Sequence, residues 1–156
     1  MRIHELKRRL REAGAGPSHE QRILRLWSHA LPRNSGRRLP ASFFPSSVME
    51  ALPSIEAELA GLARIHAVHP GADGSERLLV ALADGQTVES VLLPRDGLCV
   101  SSQVGCAVGC QFCMTGRDGL LRQVGSAEII AQVALARMRR PVRKVVFMGM
   151  GEPAHN

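Results

Sequence analysis

The sequence predicts an α/β chain in three parts: a small helical region, an antiparallel β meander, and a βαβ unit. Three observations carry this. Apolar residues recur at helical spacing through the first sixty positions. Short strand-like runs, broken by Gly and Asp, follow to about residue 97. From Leu98 a strand, a loop, a helix and a second strand succeed one another.

Ile3, Leu6 and Leu10 mark a first helix, which stops at the Gly14–Pro17 break. Ser18 is placed to cap a second, with Ile23, Leu24, Trp27 and Leu31 along one face before Pro32. Trp27 reads as a core anchor. The segment Arg33–Arg38 reads as an exposed basic linker. Val48, Met49 and Leu52, then Ile55 and Leu59, predict two short helical pieces on either side of Pro53. Ala63–His69, Arg77–Ala83 and Thr87–Leu93 are the strands of the meander. Asp84-Gly85 between two of them is a strong hairpin signal, because both turn residues must reach positive φ. A short strand over Leu98–Val100 leads into a Cys- and Gly-rich loop. Ser126 is placed to cap the next helix, with Glu128 in its first turn and Arg137, Arg139 and Arg140 at its end, matching the macrodipole. Pro141 ends it. Lys144–Met148, apolar without alternation, fits a parallel strand.

The chain has 156 residues, 45% of them hydrophobic, with a mean hydropathy of −0.01, so it can bury a core. No run approaches the ~18 apolar residues of a membrane span, and the charged first nine residues do not resemble a secretory signal. Cytoplasm is the expected compartment and no membrane partner is expected. Net charge is +6, unevenly spread: residues 1–40 hold ten Lys/Arg against three Glu, a net +7, and the rest hold ten against eleven, a net −1. A concentrated basic end suits a polyanion, with RNA or DNA first and a solvated arginine-rich face as the alternative. An aromatic content of 3%, with no Tyr, argues against a base-stacking platform.

Three of the four cysteines, Cys106, Cys110 and Cys113, form a C-x3-C-x2-C cluster on the loop after a strand; Cys99 stands apart. In a chain expected in a reducing compartment this favours a metal site over disulfides. Three thiolates suit an iron–sulfur cluster with one open iron, and zinc with Cys99 or a histidine as fourth ligand is the alternative. Gly105 and Gly109 let the backbone wrap closely, and Phe112 is placed to shield such a cluster.

The stretches Leu98–Cys106, Phe112–Gly116, Ala127–Ile130 and Met148–Pro153 resemble the RlmN/Cfr family of ribosomal RNA adenine methyltransferases, within the radical S-adenosylmethionine (SAM) superfamily. The resemblance covers about Asp84 to Asn156. It implies that residues 98–156 are the first βαβ unit of an incomplete radical SAM partial (βα) barrel. Before it stand a basic, RNA-binding helical region over 1–60 and the meander over 61–97. It also implies that Cys106, Cys110 and Cys113 hold a 4Fe–4S cluster whose open iron chelates SAM, while Gly151 and Glu152 contact SAM. Cys99 is implied as a reactive cysteine that helps release methylated RNA, and Glu89 as a proton acceptor.

The implied activity is methylation of an adenine ring carbon in 23S ribosomal RNA, and in some members transfer RNA, through a methyl-cysteine intermediate. An electron donor such as a flavodoxin is implied as partner. A six-unit partial barrel needs ~180 residues at ~30 per unit, so the chain reads as an amino-terminal fragment, inactive alone and lacking the methyl-carrying cysteine. Two other readings remain: a non-catalytic RNA-binding module, and a radical SAM enzyme acting on another substrate.

Overall fold

A computed structural model describes all residues from Met1 to Asn156. Four helices come first: α1 (Ile3–Glu12), α2 (Pro17–Ser28), the single turn α3 (Pro40–Phe43) and α4 (Ser46–Gly61). The second begins at Pro17 after Gly16, so Ser18 lies inside its first turn rather than capping it; His19 Nδ1 accepts from the Gly16 N–H at 3.0 Å. The break expected at Pro53 is absent. α4 runs through it, because Val48, Leu52, Ile55 and Leu59 form one uninterrupted buried stripe while Pro53 faces solvent. Burial of that stripe outweighs the one hydrogen bond a proline removes.

The strands β1 (Ala63–Pro70), β2 (Glu76–Leu82) and β3 (Thr87–Leu93) form the expected antiparallel meander. β4 (Gly97–Cys99) pairs antiparallel with β3, and β7 (Lys144–Val146) then pairs parallel with β4. Meander and βαβ unit therefore share one mixed sheet in the order β1-β2-β3-β4-β7. Two further strands were not foreseen. β5 (Gln103–Gly105) and β6 (Leu120–Gln123) pair as an antiparallel ribbon on either side of the cysteine loop.

The helix α5 (Ser126–Arg137) joins β6 to β7. Gly125, not Ser126, is its cap residue, and the Glu128 carboxylate accepts the Gly125 N–H at 2.6 Å. The Ser126 hydroxyl instead accepts the Ile3 N–H at 2.9 Å, tying the start of α1 to the start of α5. Leu6 and Leu10, the α4 stripe, Leu78, Val80, Val88, Leu92 and Leu98, and Ala127 and Ala131 all belong to one core cluster of 25 residues. The helical region and the sheet are thus packed as one body. Alternation along β3 sends Val88, Ser90 and Leu92 to the helix-covered face. Leu79, Glu89 and Val91 lie on the opposite, more open face.

Candidate functional site

The site is built at the carboxyl end of β4. Val91 is the register partner of Cys99, and Cys99 is the register partner of Val146. Residues two apart on a strand share a face, so Glu89 and Cys99 stand on the same open face as diagonal neighbours, a relation of roughly 7–8 Å. Glu89 is partly exposed, and Arg77 Nη1 lies 3.4 Å from its carboxylate across the hairpin. Cys99 is buried at 8% exposure. Burial pushes its thiol above the usual range, and a hydrogen bond from the Met148 backbone only partly offsets this. At neutral pH it is a protonated thiol.

Beyond Cys99 the chain runs through buried Ser101, Ser102 and Gln103, a polar trio that sequence reasoning missed. These residues stitch the Gly149–Glu152 turn into place. Gly149 N–H donates to the Val100 carbonyl at 3.1 Å, Ser102 N–H to the Met150 carbonyl at 2.8 Å, and Glu152 N–H to Gln103 Oε1 at 2.8 Å. Ser101 Oγ accepts the Met150 N–H at 2.8 Å and donates to the Glu89 carbonyl at 2.5 Å. Gln132 of α5, fully buried, closes the network. Its Oε1 accepts from Ser90 Oγ at 2.8 Å and from the Ser101 N–H at 3.0 Å, and its Nε2 donates to the Ser101 carbonyl at 3.0 Å. One buried amide thereby couples the strand of Glu89, the strand of Cys99 and the turn of Glu152. The only sequence signal was a glutamine amid the apolar residues of α5.

Gly151 has φ +101°, and a Cβ there would lie 2.5 Å from Gln103 Cβ. Its close approach is thus to the protein's own backbone. Glu152 is partly exposed, and its Oε1 accepts the Ala154 N–H at 2.9 Å. The second carboxylate oxygen has no protein hydrogen-bond partner.

Cys106, Cys110 and Cys113 lie together on the loop between β5 and β6, all as free thiols. Cys110 is exposed and the other two are partly so. Their side chains do not close into a group of three metal-holding donors. The donor set nevertheless fits an iron–sulfur cluster: three soft thiols within eight residues, all reachable from solvent, on a loop whose ends the ribbon holds. Gly105 and Gly109, at φ +74° and +66°, make the turns that start this loop. Hydrogen bonds from Thr115, by side chain and backbone, hold the Cys113 thiol below its usual range and so favour the thiolate that binds metals. Phe112 is 91% exposed and shields none of the three.

Fold and loop together place the chain among proteins similar to the radical SAM methyltransferases. It superimposes on a radical SAM methyltransferase from Sphaerobacter thermophilus with a TM-score of 0.68 and 30% identity, over all of this chain and 47% of that one. More particularly, it is 70% identical over its whole length to a "Probable RNA methyltransferase" from Leptothrix cholodnii and to one from Aromatoleum aromaticum. The chain spans about 45% of the length of these relatives. No family model matches it. The resemblance read from the cysteine loop and the Gly149–Glu152 turn therefore stands.

Proposed function

We propose that the chain is part of a radical SAM RNA methyltransferase and carries its cluster-binding loop. The observation that carries this reading is the loop of three accessible thiols beside the Glu152 turn, in a chain 70% identical to proteins named as RNA methyltransferases. Cys106, Cys110 and Cys113 would hold a 4Fe–4S cluster, which when bound supplies the electron that cleaves SAM. Glu152 offers its unpartnered carboxylate oxygen to the SAM ammonium. Gly151 keeps the turn seated against Gln103 so that this carboxylate stays at the rim of the sheet. The substrate is an adenine of 23S ribosomal RNA, or of transfer RNA, methylated at a ring carbon. That position lacks a nucleophile for ordinary methyl transfer, which is why radical chemistry is required.

Cys99 and Glu89 share the open face on which the base would sit. Cys99 keeps its proton at neutral pH, and Glu89 is able to accept one. None of the four cysteines here is assigned the methyl-carrying role, and the chain spans about 45% of its relatives' length. The reductant is a small electron carrier such as a flavodoxin, and no helix here is long and apolar enough to cross a membrane.

Anaerobic reconstitution with iron and sulfide tests the reading. It should yield a brown protein with about four irons and four sulfides per chain. Cys110→Ala should abolish binding and Cys99→Ala should preserve it. Stoichiometric zinc that survives reconstitution, with no sulfide bound, would overturn the assignment.

A further inference from the structure

The basic charge of the first forty residues is not spread over their surface. Half of its ten Lys/Arg are neutralised within the fold. Lys7 and Arg11 face Glu20, Arg8 faces Glu12, Arg9 faces Glu58 and Arg33 faces Glu56. Arg33 thus leaves the set of free linker arginines that the sequence suggests. Of the five without an acidic partner, four lie on a single cleft: Arg22, Arg25, Arg37 and Arg38. The cleft, about 420 Å³, lies between α2 and the 35–38 segment, and Ser18 and Gln21 add polar groups to its wall. No Asp or Glu lines it.

Arg22 is held in place there. Its guanidinium lies 4.7 Å from the centroid of the Phe43 ring and 5.3 Å from that of Phe44, and its Nη2 donates to the Arg38 carbonyl at 2.7 Å. Its Nε is buried and has no hydrogen-bond partner. Four like charges at one cleft repel one another unless an anion joins them, and a buried N–H without an acceptor costs free energy until one arrives. The forked guanidinium matches the oxygens of a phosphate.

We infer that this cleft binds an RNA backbone phosphate and so sets where the helical region grips the substrate. The inference rests on the reading of RNA as substrate. The contact is to phosphate, so it positions the RNA without reading its bases. Arg25, Arg37 and Arg38 are exposed, and their side chains make no hydrogen bond or ion pair within the chain. They can therefore be changed without disturbing the fold.

The test is fluorescence anisotropy of a labelled RNA hairpin titrated with the chain at several potassium chloride concentrations. Arg25→Gln, Arg37→Gln and Arg38→Gln combined should lower the magnitude of the log–log salt slope by about 0.7–0.9, the contribution of one phosphate contact. Affinity at low salt should fall at least tenfold. Arg33→Gln, which breaks only the pair with Glu56, should leave the slope as it is. An unchanged slope in the triple variant, with the parent chain binding RNA, overturns the cleft and spares the RNA reading. If the parent chain binds no RNA at all, the RNA reading falls with it. If inorganic pyrophosphate binds the chain in isothermal titration calorimetry, the triple variant loses that binding and RNA does not compete for it, the cleft serves a free phosphate compound and the proposal is wrong.

Discussion

Replacing Gln132 by Leu removes the amide that joins α5 to β3 and β4 while keeping nearly the same volume. Two groups of Ser101, its N–H and its carbonyl, have Gln132 as their hydrogen-bond partner, and Ser101 is fully buried. Orphaning a buried polar group costs about 1–3 kcal/mol, so the two together cost about 2–6 kcal/mol. The Ser90 hydroxyl also loses its acceptor. Against this, Leu is easier to bury than an amide, which returns about 1–2 kcal/mol. The net expectation is a loss of about 3 kcal/mol, or roughly 6–12 °C in Tm for a chain of this size. Urea unfolding followed by Trp27 fluorescence and far-UV circular dichroism measures it, with an unchanged slope confirming that the unfolded state is unaffected. Ser90→Ala, which removes one donor and leaves both Ser101 groups satisfied, should cost only about 1 kcal/mol. A loss under about 1 kcal/mol for Gln132→Leu would refute the view that this amide holds the strands and the turn together.

Gly151→Ala puts a methyl 2.5 Å from Gln103 Cβ at a φ of +101°. It should speed amide exchange at Met150 and Glu152 while Leu78 in the core keeps its protection, and equal protection throughout would contradict the close-packing argument. Arg122 donates to Glu128 at 2.9 and 3.0 Å and to Asp84 at 2.6 Å, clamping the β2–β3 turn to the start of α5. Burial alone would raise the Glu128 carboxyl, but Arg122 and the Gly125 N–H outweigh it and hold it low; Arg122 holds Asp84 low directly. Groups depressed in the folded state stabilise it fully above their unfolded pKa of about 4 and lose that contribution as pH falls through the folded values. Stability should therefore drop below about pH 4, and Arg122→Met should flatten that drop in acid titrations. Alkylation followed by mass spectrometry should mark the three loop cysteines before Cys99, because Cys99 is buried and its thiol is pushed up. Early labelling of Cys99 would mean the β4 end opens readily.

Where a local pattern decides the structure, the sequence was enough to read it. Asp84-Gly85 marks a hairpin, but only Gly85 takes positive φ, at +84°: the turn spans Leu82–Gly85, with the Gly85 N–H donating to the Leu82 carbonyl at 3.0 Å, so Asp84 needs no left-handed backbone. Thr87–Leu93 is a strand over the residues its alternation predicts. Pro53 misled because a local rule yields to burial: the stripe from Val48 to Leu59 is worth more than one hydrogen bond. Ser126 misled for a different reason, since Met1 and Ile3 come from the far end of the chain to dock on it. The ribbon β5–β6 left no periodic trace, being three and four residues long. At the candidate site the thiols were visible as a spacing. The Ser101–Gln132 network was not, because its partners lie 31 residues apart and only the sheet brings them together.

The cysteine loop contributes no residue to the 25-residue core, and the paired strands of the ribbon hold its two ends. Packing of the core is for that reason independent of the thiols. A small zinc domain has no folded state to return to once its metal is gone. Here the packing that holds the scaffold together does not run through the thiols. The cost of that arrangement is exposure: as free thiols, Cys106, Cys110 and Cys113 are open to oxidation, to sulfenic acids or to one another. The useful lifetime of such a protein in air is set by the chemistry of its loop rather than by the stability of its fold.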